Sequence, residues 1–264
     1  MQKVDKQNQQ GLVLVNDRRK KYYSNNNIDF NFYKIKKEHF CMKKNISFIF
    51  IFVVIVVSCF AGLHFYKQYK KQNIKSVILL GKPGCGKGTQ AKIWVEKYNL
   101  YHIDAGQLLR NCVANNCKYK DEIKKAFESG TMVRNEITGF ALKKEFEKNV
   151  YCLTCKYKGV IIDGCPRNMQ NVKIFEDNDF NVKAVIDLNV SDEISKQRVL
   201  SRNSGRSDDN EEVLNRRLKV FNTDTLQVFE YFKEKGLYRQ IDASGTTDEV
   251  LNNSSKVLDV VFNQ

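Results

Sequence analysis

The sequence predicts an α/β fold: a five-stranded parallel sheet with helices on both faces, preceded by one apolar helix long enough to cross a membrane. Three observations carry this. From residue 76 onward, short Val/Ile/Leu-rich runs alternate with helical patterns, the order that builds parallel sheets covered on both sides. The run SVILL at 76–80 feeds a glycine-rich turn, GKPGCGKGTQ at 81–90, followed by a helix-compatible segment. Residues 46–66 (ISFIFIFVVIVVSCFAGLHFY) are 21 residues with no formal charge apart from His64, enough for roughly 30 Å of hydrocarbon.

In chain order, residues 1–45 form a basic arm rich in Asn, Lys and Tyr with no clear period. It is expected to be disordered, either lying on anionic lipid through its lysines or solvated without a task. The Val/Ile/Phe composition of 46–66 leaves no polar face, and Lys43, Lys44, Lys67, Lys70 and Lys71 bracket it, so a single membrane anchor is expected. The alternative is a cleavable signal read from Met42, with small residues near 58–62. Five lysines precede the span closely (Lys34, Lys36, Lys37, Lys43, Lys44) and four follow it (Lys67, Lys70, Lys71, Lys75). Charge therefore does not fix the orientation. A linker is expected at 67–75.

After the first strand, loop and helix, YHIDAGQLLR at 101–110 reads as a short strand turning at Gly106 into a helix. Residues 117–130 and 135–148 read as helices on a 3.6 period, joined by SGTMVR. Strands follow at 158–163 and 182–190, then a helix around 197–202 entering the polar segment SGRSDDN. A long helix at about 211–235, a fifth strand within 237–243 and a last helix at 248–262 complete the chain. Both prolines, Pro83 and Pro166, fall in motifs at strand ends, where a fixed φ favours defined turns.

The net charge of +14 looks like a nucleic-acid signal until it is located. Residues 1–72 carry 14 Lys/Arg against 4 Asp/Glu, which leaves only +4 on residues 73–264. A nucleic-acid partner is therefore not expected. Of the eight cysteines, Cys112 and Cys117 are spaced C-x4-C and Cys152 and Cys155 C-x-x-C. That is a poor match to a four-thiolate zinc site, and reduced thiols are expected. Reduced thiols put the domain on the cytosolic side, the alternatives being the secretory lumen or a mitochondrial membrane.

The turn at 81–90 has the chemistry of a phosphate cradle. Its glycines let successive N–H groups approach phosphate oxygens, Lys87 adds a point charge, and the following helix aims its positive end at the same place. The strict G-x-x-x-x-G-K-[ST] pattern is not met, because Gly88 follows the lysine and the hydroxyl arrives one residue late, at Thr89. Arginines fall where a dianionic acceptor needs guanidinium forks: Arg110 after the second strand, Arg167 after the third, and Arg198, Arg202, Arg206 and Arg217 around the polar segment.

The form G-x-P-G-x-G-K-G-T-Q resembles the nucleoside monophosphate kinases of the adenylate kinase type. DGCPRNMQN, SGRSDDNEEVLNRRLKVFNTDT and DAGQLLR resemble the corresponding segments of UMP-CMP kinases. The resemblance runs from about residue 76 to the C-terminus. It implies a P-loop NTPase fold in a domain at 76–264, with a small helical insertion for the monophosphate at about 104–148 and a short lid at about 202–210. It implies that Gly84, Cys85, Gly86, Lys87, Gly88 and Thr89, with Arg202, hold ATP, and that Asp163 positions Mg²⁺ through water. Ala105, Arg110, Val133, Gly164, Arg167 and Asn171 would hold the monophosphate. Lys87, Arg167, Arg206 and Arg217 would act on the transferring group, with Arg206 and Arg217 also closing over the acceptor. A monomeric kinase domain is expected. Ala105 and Asn171, where adenylate kinases carry Thr and Gln, favour UMP or CMP over AMP as acceptor. Asp104, Gln107, Arg134, Cys165 and a lid about two residues short depart from the family pattern. A nucleotide-binding scaffold weakened in catalysis is the rival reading.

Overall fold

Helix α1 runs Ile28–Asn73 in the computed structural model, which describes residues 28–201 and 209–263, with side chains from Phe48 onward. The chain divides into two units, residues 1–63 and 64–264. Helix α1 begins inside the segment expected as a disordered arm, and its end, within the second unit, covers 67–73, expected as a linker. Within Phe48–Asn73 the most apolar 18-residue window has a mean hydropathy of 2.7, and none of that window is buried. Phe48, Phe50 and Phe52 are each about two-thirds exposed. By length and composition this helix is long and apolar enough to cross a membrane.

The second unit carries the sheet. Its strands are β1 (Lys75–Leu80), β2 (Leu100–Asp104), β3 (Gly159–Asp163), β4 (Val182–Asn189) and β5 (Tyr238–Asp242). They pair in the order β2-β3-β1-β4-β5, all parallel. Helices α2 (Lys87–Tyr98), α3 (Ala105–Ala114), α4 (Lys120–Ser129), α5 (Asn135–Asn149), α6 (Met169–Asp177), α7 (Asp192–Ser201), α8 (Glu211–Val220), α9 (Leu226–Glu234) and α10 (Thr247–Phe262) fill the connections. β1 shows why its run is unbroken. Ile78 and Leu80 face a core with Phe146 of α5, Phe175 of α6 and Phe229 of α9, while Val77 and Leu79 face another with Trp94 of α2 and Leu258 of α10. Both faces of the sheet are buried, so no polar alternation is needed.

The expected helical insertion has its own small core. Leu109 of α3, Ile123 and Ala126 of α4, Val133, and Ile137 of α5 pack together apart from the sheet. The helix expected at 211–235 is interrupted by a π-helical turn, Phe221–Thr225, between α8 and α9. Helix α6 has no counterpart among the expected elements. Its cap, Asn168, accepts from the Asn171 N–H at 2.8 Å, the usual role of a short amide before a first turn.

Two disulfides correct the expectation of reduced thiols. Cys112 is bonded to Cys117 and Cys152 to Cys155, with Cα atoms 5.2 and 5.4 Å apart. Turns after α3 and after α5 bring each pair into bonding range, which sequence spacing does not reveal. Cys59, Cys85 and Cys165 are free. The Cys152–Cys155 turn also receives the end of α1: the Lys70 ammonium donates to the carbonyls of Val150 (3.5 Å), Cys152 (3.2 Å) and Cys155. The Tyr66 hydroxyl approaches the Leu153 carbonyl at 3.5 Å.

Candidate active site

A cleft of about 1060 Å³ opens beyond the carboxyl ends of β1, β2 and β3, beside the central strand where crossovers diverge to either side. It brings together Gly84, Gly86, Lys87, Gly88, Thr89, Ala105, Arg110, Val133, Asp163, Gly164, Arg167, Asn171 and Arg217. Arg202 and Arg206 lie outside the described residues. Cys85 does not line the cleft. Its side chain is 2% exposed and turns inward, where burial pushes the thiol pKa up, so any part it plays is through its backbone.

The loop between β1 and α2 is shaped by its glycines. Gly81 sits at φ 142°, and a Cβ there would lie 2.5 Å from the Leu188 carbonyl oxygen. Gly81→Ala is therefore expected to lower stability by about 2 kcal/mol or more, read as a fall in Tm. A Tm within 1 °C of wild type would contradict the strained-turn account. Helix α2 has Gly86 at its N-cap, with no side chain to cap it, leaving the positive helix end to a ligand. Lys87 Nζ donates to the carbonyls of Gly81 (2.8 Å) and Lys82 (2.9 Å). The ammonium thus stands at the mouth of its own loop.

On the opposite wall, two of the departures from the family pattern converge on Arg110. Gln107 Oε1 accepts from Arg110 Nε at 3.2 Å, and Asp104 Oδ2 lies 3.9 Å from its Nη2. Asp104 also caps α3, accepting from the Gln107 N–H at 2.9 Å. Asp serves such a cap as well as Ser does. Arg167 follows β3; its Nε donates to the Gly164 carbonyl at 2.7 Å, and its own carbonyl accepts from the buried Thr225 hydroxyl of the π-helical turn at 3.1 Å. Arg198 instead donates to the carbonyls of Ala243 (2.8 Å) and Ser244 (3.0 Å), so its fork braces the loop before α10.

Asp163 ends β3 almost buried, with His102 Nε2 3.4 Å from its Oδ2. Sequence reasoning missed His102. The signal was its place on β2, two residues before Asp104, which pairs in register with Asp163. The carboxylate forms no ion pair with Lys87, and the described residues contain no cluster of three His, Cys, Asp or Glu side chains. The Asp163 carboxylate, with only His102 beside it, and the Thr89 hydroxyl in the same cleft fit a hard cation held largely by water and substrate oxygens. They do not fit zinc.

Asp187 at the end of β4 is 4% exposed; Tyr238 donates to its Oδ2 at 2.9 Å, while Oδ1 has no hydrogen-bond partner among the described residues. Burial raises its pKa, against the Tyr238 bond, which lowers it. A carboxyl raised on folding favours the protonated protein, so its cost to stability is absent well below the ordinary value of about 3.9 and grows as pH rises above it. The Tm of Asp187→Asn relative to wild type is expected to move in the variant's favour between about pH 4 and pH 7. A pH-independent difference would rule this out.

A sequence model described as Adenylate kinase matches residues 79–237. The adenylate kinase of Leptospira biflexa serovar Patoc is 37% identical over 186 residues, covering 68% of this chain and 97% of the relative. The UMP-CMP kinase of Bos taurus is 38% identical over 189 residues, and that of Homo sapiens 37% over 189 residues. Each of these alignments covers 69% of this chain and 96% of the relative.

Proposed function

The chain belongs to the adenylate kinase family of nucleoside monophosphate kinases, and on that premise we propose that it moves the γ-phosphoryl group of ATP to UMP or CMP. The observation that supports this reading is that Lys87, Arg110, Arg167 and Arg217 line one cleft with Asp163. A phosphate oxygen of the acceptor attacks the γ-phosphorus in line; the bond from that phosphorus to the β–γ bridging oxygen breaks, and its electrons leave on ADP. The loop amides and Lys87 hold the donor phosphates. Arg110 and Arg167 hold the acceptor phosphate, Arg202 serves the ATP side, and Arg206 and Arg217 close over the transferring group. Asp163 would hold Mg²⁺ through water, and the ion would supply neutralising charge to the ATP oxygens. Burial of Ala105, which brings no hydroxyl to the cleft wall, and the amide of Asn171 support a pyrimidine acceptor over AMP.

ADP release by the full chain in detergent, with AMP, CMP, UMP and dCMP as acceptors, tests the proposal. Highest kcat/KM with CMP or UMP is expected. Preference for AMP would reverse the acceptor assignment, and nucleotide-dependent thermal stabilisation without turnover would favour a binding scaffold.

The exposed apolar helix supports tethering to a membrane through 46–66, with the domain on the ATP-rich cytosolic side. The two disulfides argue for an oxidising compartment instead. Asn189 and Asn253, both exposed and both in Asn-x-Ser patterns, make the difference measurable: a glycosidase-sensitive mass shift would reverse the cytosolic assignment.

A further inference from the structure

Three asparagines form a closed amide network behind the acceptor wall of the cleft. Asn168 Oδ1 accepts from the Asn171 N–H, so its other side-chain atom must be the donor, and it points 3.0 Å to Asn135 Oδ1. Asn171 Oδ1 accepts from the Arg167 N–H at 3.2 Å, so its Nδ2 must likewise donate, and it reaches the same Asn135 Oδ1 at 2.7 Å. Two independent constraints thus meet on one oxygen. Turning the Asn171 amide over would set NH₂ against the Arg167 N–H and oxygen against the Asn135 oxygen. Both contacts would be repulsive, at a residue 5% exposed.

Asn171 lines the cleft, whereas Asn135 and Asn168 do not. Asn135 comes from the first turn of α5 in the helical insertion, and Asn171 from α6 beyond the sheet. We propose that Asn135 is a positioning residue for acceptor recognition. It fixes which edge of the Asn171 amide meets the base: the oxygen is taken by the Arg167 N–H and the Cys165 thiol (3.9 Å), which leaves the second Nδ2 N–H. A base edge that presents an acceptor, such as a pyrimidine keto oxygen or ring nitrogen, is what that N–H reads. This inference rests on the monophosphate-kinase reading.

Asn135→Val removes the common acceptor while keeping a similar volume. It is expected to raise the CMP Kd, measured calorimetrically on the full chain in detergent, by about tenfold. The KM for CMP should rise in parallel, with the KM for ATP unchanged. Asn135→Asp keeps an oxygen for both donors and should return the Kd to within about twofold of wild type. In an Asn171→Ala background, Asn135→Val should add little, because the group it positions is gone. An unchanged CMP Kd, failure of the aspartate to rescue, or full additivity with Asn171→Ala would each overturn the proposal. If the valine variant does not fold, Asn135→Ser, too short to reach both amides, carries the same expectation. The Kd needs no turnover. A wild type that binds CMP without turnover sinks the kinase reading, whereas a Kd indifferent to Asn135 sinks only this inference.

Discussion

Lys87→Ala is expected to lower kcat by about a thousandfold, with the fold intact. Phosphoryl transfer gives the protein little covalent chemistry to perform, so the rate depends on fixed positive charge where negative charge develops. Removing one such donor from a preorganised site costs roughly 10²–10³ in kcat. Lys87 is placed at the upper end because it is the first residue of α2, where ammonium and helix end act on the same phosphate. It also bonds the carbonyls of Gly81 and Lys82. Those carbonyls lie in a half-exposed loop where water replaces the ammonium, so thermal unfolding should change little while steady-state ADP release collapses. A kcat within tenfold of wild type would remove Lys87 from the mechanism.

Arg167→Ala is expected to lose at least about a hundredfold in kcat, and Arg167→Lys should not restore it. The guanidinium is tethered on one side, with Nε on the Gly164 carbonyl, which leaves the Nη ends as a fork for a phosphate. A lysine offers a point charge without that fork. The backbone at this position is held independently by Thr225, and the side chain is exposed, so the substitution should leave Tm nearly unchanged. Single-turnover rates at saturating ATP and CMP separate the loss of transfer from the loss of binding. Equal kcat with only a raised acceptor KM would make Arg167 a ground-state binding residue.

The inner strands β1, β3 and β4 were legible because each is a short apolar run buried on both faces, and the edge strands β2 and β5 because they alternate with helices in the same order. The site was legible for a related reason: parallel strands bring their carboxyl ends together, so Lys87, Arg110, Asp163 and Arg167 had to converge wherever the sheet was. What escaped depends on contacts between distant segments. The π-helical turn at 221–225 has no signature in a 3.6 period; it brings Thr225 under Arg167. Helix α6 was hidden because Asn168, its cap, stood in a segment whose residues were accounted for by phosphate chemistry. His102 is a single histidine whose meaning comes only from the neighbouring strand. The disulfides could not be told from free thiols, because C-x4-C and C-x-x-C carry no information on how the intervening turn folds.

The seat of Lys70 has a mechanical consequence. Its ammonium is gripped by carbonyls of Val150, Cys152 and Cys155, and the Cys152–Cys155 bond closes that turn into a ring. Tension entering the domain along the end of α1 reaches this bracket five residues before β1. Part of that load is shared with the turn after α5 before the chain enters the strand that carries the phosphate loop. The protein has a strain relief, of the kind fitted where a cable enters a housing.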